Sequence, residues 1–301
     1  MTTESDIALS REYEMSMYLQ SMSGMYEDAL IQNGEVYDIA LRLTHEFSRI
    51  SEAAVLEDSR IIKTLRYAVA PTISQMKFGQ LFGLSSTDKL EAKKVAIGSS
   101  QYSTLARTAA SIAQFATDHL DRSRFIWLDG GGQRSTLALS YAKKWTCSLA
   151  ADQNAQTAYR NWRKAQQEQA IVATLTKMGF AKSACRGIVC KYTDIAPGEY
   201  TQEIKIKGRT LQKADIAFRS RRSGRLVLIE AKAVGVELDA TKRIKECCDK
   251  ASDWKSASEL EAPQVVAVIA GFFTASNLSN LEASGIHIVW EHALNDLEKY
   301  T

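Results

Sequence analysis

At 301 residues, 45% of them hydrophobic, the chain is long enough to bury a sizeable core as one large or two medium domains. Charged residues make up 24% and nearly cancel to a formal net charge of +3, so any nucleic-acid-binding field must come from local clusters of Lys and Arg. No apolar run is long enough to span a bilayer, the opening MTTESDIALSREYE has no secretory pattern, and five cysteines without a CxxC pair argue against a zinc site. A cytoplasmic protein with reduced thiols is therefore expected.

The first 122 or so residues read as helical. Tyr37, Ile39, Ala40, Leu43 and Phe47 fall on one apolar stripe. A second helix is expected over Ser59–Val69, stopped by Pro71, and a new element follows Thr72-Ile73-Ser74. Ser85-Ser86-Thr87-Asp88 offers N-caps for the next helix, and a further apolar stretch covers Tyr102–Leu120. Asp129-Gly130-Gly131-Gly132 breaks the pattern and reads as a flexible joint rather than a phosphate loop, since the GxxxxGK[ST] spacing is absent. Two helices are expected next, from about Ser135 to Ala151 and from about Gln156 to Met178, the second capped by Gly179.

Beyond Phe180 the character changes to short β-rich runs: Gly187–Tyr192, Glu203–Lys207, Asp215–Arg219 and Arg225–Ala231. A helix over Asp239–Leu260 precedes the apolar run Gln264–Ala270, which reads as a buried central strand. Ile286–Trp290 is a shorter strand, and a helix over Glu291–Tyr300 closes the pattern. The expected organisation is a helical region over residues 1–150 and an α/β region over 151–301, joined somewhere between 130 and 156.

The chemistry concentrates in Lys213-Ala214-Asp215-Ile216-Ala217-Phe218, the turn Arg219 to Gly224, and Arg225-Leu226-Val227-Leu228-Ile229-Glu230-Ala231-Lys232. Two β-type runs flanking a polar, Gly-containing turn form a hairpin signature. With the turn centred between Arg222 and Ser223, Asp215 lies opposite Glu230 and Lys213 opposite Lys232. Side chains alternate along a strand, so Glu230 and Lys232 share a face and Asp215, Glu230 and Lys232 converge on one patch. Two carboxylates supply the oxygen ligands of a hard divalent cation, and an adjacent lysine stabilises charge on a phosphate or helps to orient and deprotonate water. Without the cation such carboxylates repel, which raises a carboxylate pKa.

Glu-x-Lys on a strand is also a common solvated ion pair. The upstream Asp at hairpin distance, and the cost of closing an apolar run with a charge, favour the catalytic reading. Glu168, on the helix whose Ile171, Val172, Leu175 and Met178 form an apolar face, is a further candidate for the same site. Arg219, Arg221 and Arg222 in the turn, with Lys242 and Arg243 in the next helix, are candidate DNA contacts to phosphates or guanine edges.

The series Lys213-Ala214-Asp215-Ile216-Ala217 followed by Ile229-Glu230-Ala231-Lys232 resembles the PD-(D/E)XK nuclease signature, with Ala214 where proline is usual. Further stretches narrow the resemblance to the XamI-like type II restriction endonucleases: Leu65-Arg66 through Pro71-Thr72-Ile73-Ser74, Arg160-Asn161 through Glu168, Lys242-Arg243, and Gly285 through Leu294 with its Trp290-Glu291-His292-Ala293-Leu294 turn. They span residues 65–294, and Thr72 stands where the pattern has a second proline. The resemblance implies a restriction-endonuclease-like core, a mixed β-sheet flanked by helices, with catalytic Asp215, Glu230, Lys232 and Glu168. It further implies Mg2+ held by Asp215 and Glu230, cleavage of double-stranded DNA at a short specific sequence, and a cognate DNA methyltransferase acting on the same site. A palindromic target would match a homodimer, with the helical region serving recognition or dimerisation. A structure-specific or repair nuclease, an inactive DNA-binding protein of the same fold, and a generic α/β protein remain the alternatives.

Overall fold

The computed structural model describes residues 4–130 and 133–301. The expected joint at Gly131 and Gly132, and the first three residues of the N-terminal stretch, lie outside the described residues. Residues group into two compact units, one of 22–158 and one of 1–21 with 159–301. The first residues thus join the C-terminal unit, where the sequence pattern alone places the whole of 1–150 in one region.

The helical unit contains most of α1 (Glu4–Leu43), then α2 (Glu52–Glu57), α3 (Ile61–Ala68), α4 (Gln75–Phe82), α5 (Thr87–Ala92), α6 (Ser100–Ala106), α7 (Ala109–His119) and the first half of α8 (Thr136–Lys177). Its core gathers Tyr37, Ala40 and Phe47 from the predicted stripe with Ile61, Ile62, Leu65, Phe78, Leu105, Ile112 and Phe125. Ser74 caps α4 by accepting the Lys77 N–H at 3.3 Å. The apolar stretch over Tyr102–Leu120 forms two helices, α6 and α7.

The polar residues between Ala151 and Gln156 read as a break, yet α8 runs through them unbroken from Thr136 to Lys177. Ala150, Ala151 and Ala155 bury themselves on one face of the helix while Asp152 and Gln153 stay exposed. Polarity on the solvent side therefore marks amphipathicity, not an end. The helix stops where expected, at Gly179, whose φ of +86° suits glycine.

The α/β unit is a mixed seven-stranded sheet of β1 (Ala181–Lys182), β2 (Ile188–Val189), β3 (Glu199–Lys207), β4 (Leu211–Arg219), β5 (Leu226–Val234), β6 (Gln264–Gly271) and β7 (His287–Trp290), in spatial order β1-β3-β4-β5-β6-β7 with β2 also on β3. The β3–β4–β5 meander is antiparallel, and β5–β6–β7 are parallel. The parallel crossovers are made by α9 (Glu237–Lys255) and α10 (Ala275–Ala283). The expected strand Gly187–Tyr192 shrinks to the two residues of β2, and the closing helix is a kinked 3-10 segment over Glu291–Tyr300. The mixed sheet flanked by helices matches the expected architecture.

Alternation along β5 sets two cores. Val227, Ile229 and Ala231 pack with Ile171 and Leu175 of α8, whereas Leu226, Leu228 and Val234 pack with Ala240, Ile244 and Cys247 of α9. Each fully buried Val, Leu or Ile among them contributes about 1.5–3 kcal/mol. The N-terminal part of α1 is tied to this unit by Glu14, which accepts from Arg163 Nε and from the Tyr159 hydroxyl, both at 2.8 Å. Arg163 also donates twice to Glu291, at 3.0 and 2.7 Å, and both partners of each pair are buried. Ser10 accepts the Gly271 N–H at 2.8 Å. At Gly271 φ is +96° and a Cβ would collide with the Val234 carbonyl oxygen, so only glycine fits.

Candidate functional site

The hairpin has the register expected of a turn centred between Arg222 and Ser223: Arg219 pairs with Leu226, Phe218 with Val227, Ala217 with Leu228 and Ile216 with Ile229. One step further along, Asp215 stands level with Glu230, but there the ladder opens. The Ala231 N–H, which would otherwise serve the sheet, donates to the Asp215 carboxylate at 2.9 Å. The β3–β4 ladder is interrupted at the same place: Gln202 pairs with Ile216 and Ile204 with Ala214, and Glu203 between them has φ +52°. A non-glycine residue in that region costs on the order of 1 kcal/mol, and such strain tends to collect at functional sites. Asp215 therefore occupies a local gap in the sheet, with a backbone N–H of β5 turned to its carboxylate and the β3 pairing broken beside it.

Lys232 joins the two acids of the hairpin. Its Nζ lies 2.6 Å from Glu230 and 3.9 Å from Asp215. Burial works against its charge, but Glu230 and Asp215 outweigh that and raise its pKa, so the amine is held as ammonium. Glu230 is fully buried, and its second oxygen accepts from Lys250 of α9 at 2.8 Å. Lys250 also donates to the Lys213 carbonyl at 2.7 Å, so one amine ties α9 to both strands of the hairpin.

On the side of α8, Glu168, Glu203 and Asp215 form a cluster of carboxylates whose oxygens lie within 4.8 Å of one another. Lys164 stands among them, 3.2 Å from Glu168, 3.3 Å from Glu203 and 3.5 Å from Asp215. The Lys213 amine pairs with Glu203. Burial pushes the Glu168 carboxyl up; Lys164 opposes the shift, and Asp215 and Glu203 add to it. Glu203 is lowered by its hydrogen bond from Lys213, against a smaller burial effect. Lys164 is raised: burial opposes its charge, and Asp215, Glu168 and Glu203 overcome that.

The donor set suits a hard divalent cation. All its members are carboxylate oxygens, and the spread is near that of ligands around one such ion, roughly 4–5 Å across for bond lengths of about 2.1–2.6 Å. Glu168 Oε1 is buried and has no partner beyond the Lys164 ammonium at 3.2 Å, which stands where a cation would. Glu230, the other expected metal ligand beside Asp215, meets Lys232 and Lys250 and lies outside the carboxylate cluster found among the described residues.

Among the described residues none of the expected DNA contacts pairs with Glu168, Glu203, Asp215 or Glu230. Arg219 stands four positions along β4 from Asp215, about 13 Å of strand, and its guanidinium donates to Gly224 and lies 4.8 Å over the Tyr192 ring. Arg221 donates to the Gly179 carbonyl and lies 5.1 Å over Phe180. Arg222, Lys242 and Arg243 are exposed, and Arg243 faces Glu246 at 3.4 Å. The cations at the site are Lys164, Lys213, Lys232 and Lys250.

Glu203, Lys164 and Lys250 were not singled out from the sequence. A signal existed for the first: the Gly208-Arg209-Thr210 turn between Lys207 and Leu211 mirrors Glu203 onto Asp215. Lys164 precedes Glu168 by one helical turn and so shares its face. Lys250 has no local signal, because its position depends on how α9 packs.

A family model described as XamI restriction endonuclease matches residues 45–290. Over 310 aligned residues the chain is 24% identical to the type II restriction enzyme SalI of Streptomyces albus G, covering 97% of this chain and 95% of that enzyme. Protein VC1899 from Vibrio cholerae, of solved crystal structure, aligns over 91% of this chain and 55% of its own at 12% identity and a TM-score of 0.29, a likeness that adds nothing to the assignment. No helix among the described residues is long and apolar enough to cross a membrane. The hairpin that brings Asp215, Glu230 and Lys232 together, and the match across residues 45–290, place this chain in the XamI restriction endonuclease family.

Proposed function

We propose that the chain is a cytoplasmic type II restriction endonuclease that hydrolyses phosphodiesters of double-stranded DNA at a short specific sequence with Mg2+. The observation that carries this reading is Lys232, whose ammonium touches both Glu230 and Asp215 at 2.6 and 3.9 Å beside the Glu168–Glu203–Asp215 cluster. Asp215, Glu168 and Glu203 would hold the metal, and Glu230 acts next to them by fixing Lys232. Bound Mg2+ would polarise the scissile phosphate and acidify a water. Lys232 would stabilise negative charge developing on the phosphate or help to orient and deprotonate the attacking water. The Ala231 N–H and Lys250 keep Asp215 and Glu230 in place without the ligand, so little reorganisation is needed when DNA arrives.

The remaining parts are assigned by the same reasoning. Arg222, Lys242 and Arg243, being exposed, suit phosphate contacts, whereas Arg219 and Arg221 act through the turn they brace. A homodimer on a palindromic site is supported by an exposed apolar stripe on α8, Leu137, Tyr141, Trp145 and Leu149, at the four-residue spacing of one helix face. In this reading the helical region serves recognition or dimerisation, and a cognate methyltransferase protects the same sequence in the host.

The test is incubation of the purified protein with unmethylated bacteriophage DNA and Mg2+, with a chelator control, followed by sequencing of fragment ends. Discrete fragments sharing one short end sequence support the proposal. Cutting confined to branches or ends would favour a structure-specific or repair enzyme, and Mg2+-independent binding without any cleavage would favour an inactive DNA-binding protein.

A further inference from the structure

We propose that Lys164 is the resident cation of the carboxylate cluster, holding Glu168, Glu203 and Asp215 together and yielding its position when a divalent cation enters. This rests on the metal-site reading above and adds to it a competition between a side chain and the metal. Lys164 Nζ stands 3.2, 3.3 and 3.5 Å from one oxygen of each acid, which is the position a shared ligand of all three would take. Among the site's lysines none matches that reach: Lys213 meets Glu203, Lys250 meets Glu230, and Lys232 meets Glu230 and Asp215.

Two further facts make Lys164 displaceable while its helix stays put. Its side chain is 51% exposed, against 15% for Lys232, so the ammonium can swing into water with little cost of desolvation or lost packing. The backbone beneath it is pinned, because the preceding residue Arg163 is buried between Glu14 and Glu291, and Gln167 donates to the Val268 carbonyl at 3.3 Å. α8 thus presents Glu168 to the sheet whether Lys164 is in or out. An ammonium and a divalent cation cannot share the centre of one carboxylate cluster, since they repel each other and compete for the same oxygens. Lys164 is therefore a positioning residue: it keeps three mutually repelling acids convergent before metal arrives, and it weakens metal binding in proportion to the hold it must release.

The experiment is calorimetric titration of Mn2+ and Ca2+ into the full metal-free chain, comparing wild type with Lys164→Met, Lys164→Gln, Lys164→Arg and Asp215→Asn, each checked for folding by circular dichroism and thermal melting. Lys164→Met and Lys164→Gln are expected to tighten Mn2+ binding about tenfold, within the roughly 5–150-fold range of typical site couplings. They also melt earlier than wild type without metal and recover the difference when Mn2+ is added. Lys164→Arg retains the competing charge and stays within about threefold of wild-type affinity. Unchanged or weaker Mn2+ binding in both Lys164→Met and Lys164→Gln, with binding lost in Asp215→Asn, overturns the role of Lys164 and leaves the metal site standing. Equal Mn2+ binding by wild type and Asp215→Asn overturns the metal site itself, and the proposal with it.

Discussion

The helical unit and the α/β unit each bury carboxylates, and they neutralise them in different ways. In the helical unit Arg66 and Glu91 are both nearly inaccessible, at 3% and 5%. Arg66 donates to Glu91 at 2.5 and 2.9 Å and to the Ile73 carbonyl at 2.5 Å, and Gln75 adds a bond to Glu91 at 2.9 Å. A planar guanidinium matched to a carboxylate by two parallel bonds leaves nothing free and has no room to move. Around Asp215 the partners are lysines, point charges on long stems, and Lys164 and Lys213 are about half exposed. Arginine locks a charge permanently, whereas lysine holds one that must later be handed to another cation. The same contrast appears within the α/β unit, where Arg163 is the fixed cation and its neighbour Lys164 the exchangeable one.

Four changes probe that contrast, beginning with the largest effect. Asp215→Asn keeps the shape and the bond from Ala231 but removes the charge shared by the cluster and Lys232, and we expect cleavage of plasmid DNA to fall on the order of 1000-fold with folding preserved. Retained cleavage would detach the hairpin from the chemistry. Arg66→Met strands the Glu91 charge and should cost about 3–5 kcal/mol in urea unfolding, while the double change Arg66→Met with Glu91→Met recovers most of that loss. A double variant no more stable than the single one would mean that Arg66 acts through its bond to Ile73 and not through the ion pair.

Glu203→Gln should weaken Mn2+ binding about tenfold, the scale seen when one supporting group of a metal site is lost. An unaltered titration would reduce the cluster to Glu168 and Asp215. The smallest effect is expected at the surface: Arg222→Ala should leave the cleavage rate in low salt nearly unchanged and lower the slope of log affinity against log salt by about 1, as for one lost phosphate contact. An identical slope would remove the turn from the DNA interface.

Local pattern carried a large part of the structure. The hairpin around Arg222 and Ser223 was legible because strand alternation and the position of a turn together set which side chains face each other. The buried strand β6 was legible because a continuous apolar run of that length has few other uses. Where reasoning stayed local but ignored a face, it failed: the polar residues of α8 after Ala151 belong to its solvent side, and α10 is rich in Asn and Ser, poor helix formers, although a Thr274–Asn277 capping box marks its start.

By itself, then, the sequence determined the strands β4, β5 and β6, the register of the hairpin, the spacing of Asp215, Glu230 and Lys232 along it, and the family. These depend on spacing along one or two adjoining segments, and such spacing is written in the order of residues. Tertiary structure alone decided that α1 begins in the α/β unit through Glu14, that Lys250 reaches Glu230, and that Lys164 sits among Glu168, Glu203 and Asp215. Those contacts join elements far apart in the chain, and only packing a helix onto a sheet fixes which long side chain arrives at which carboxylate.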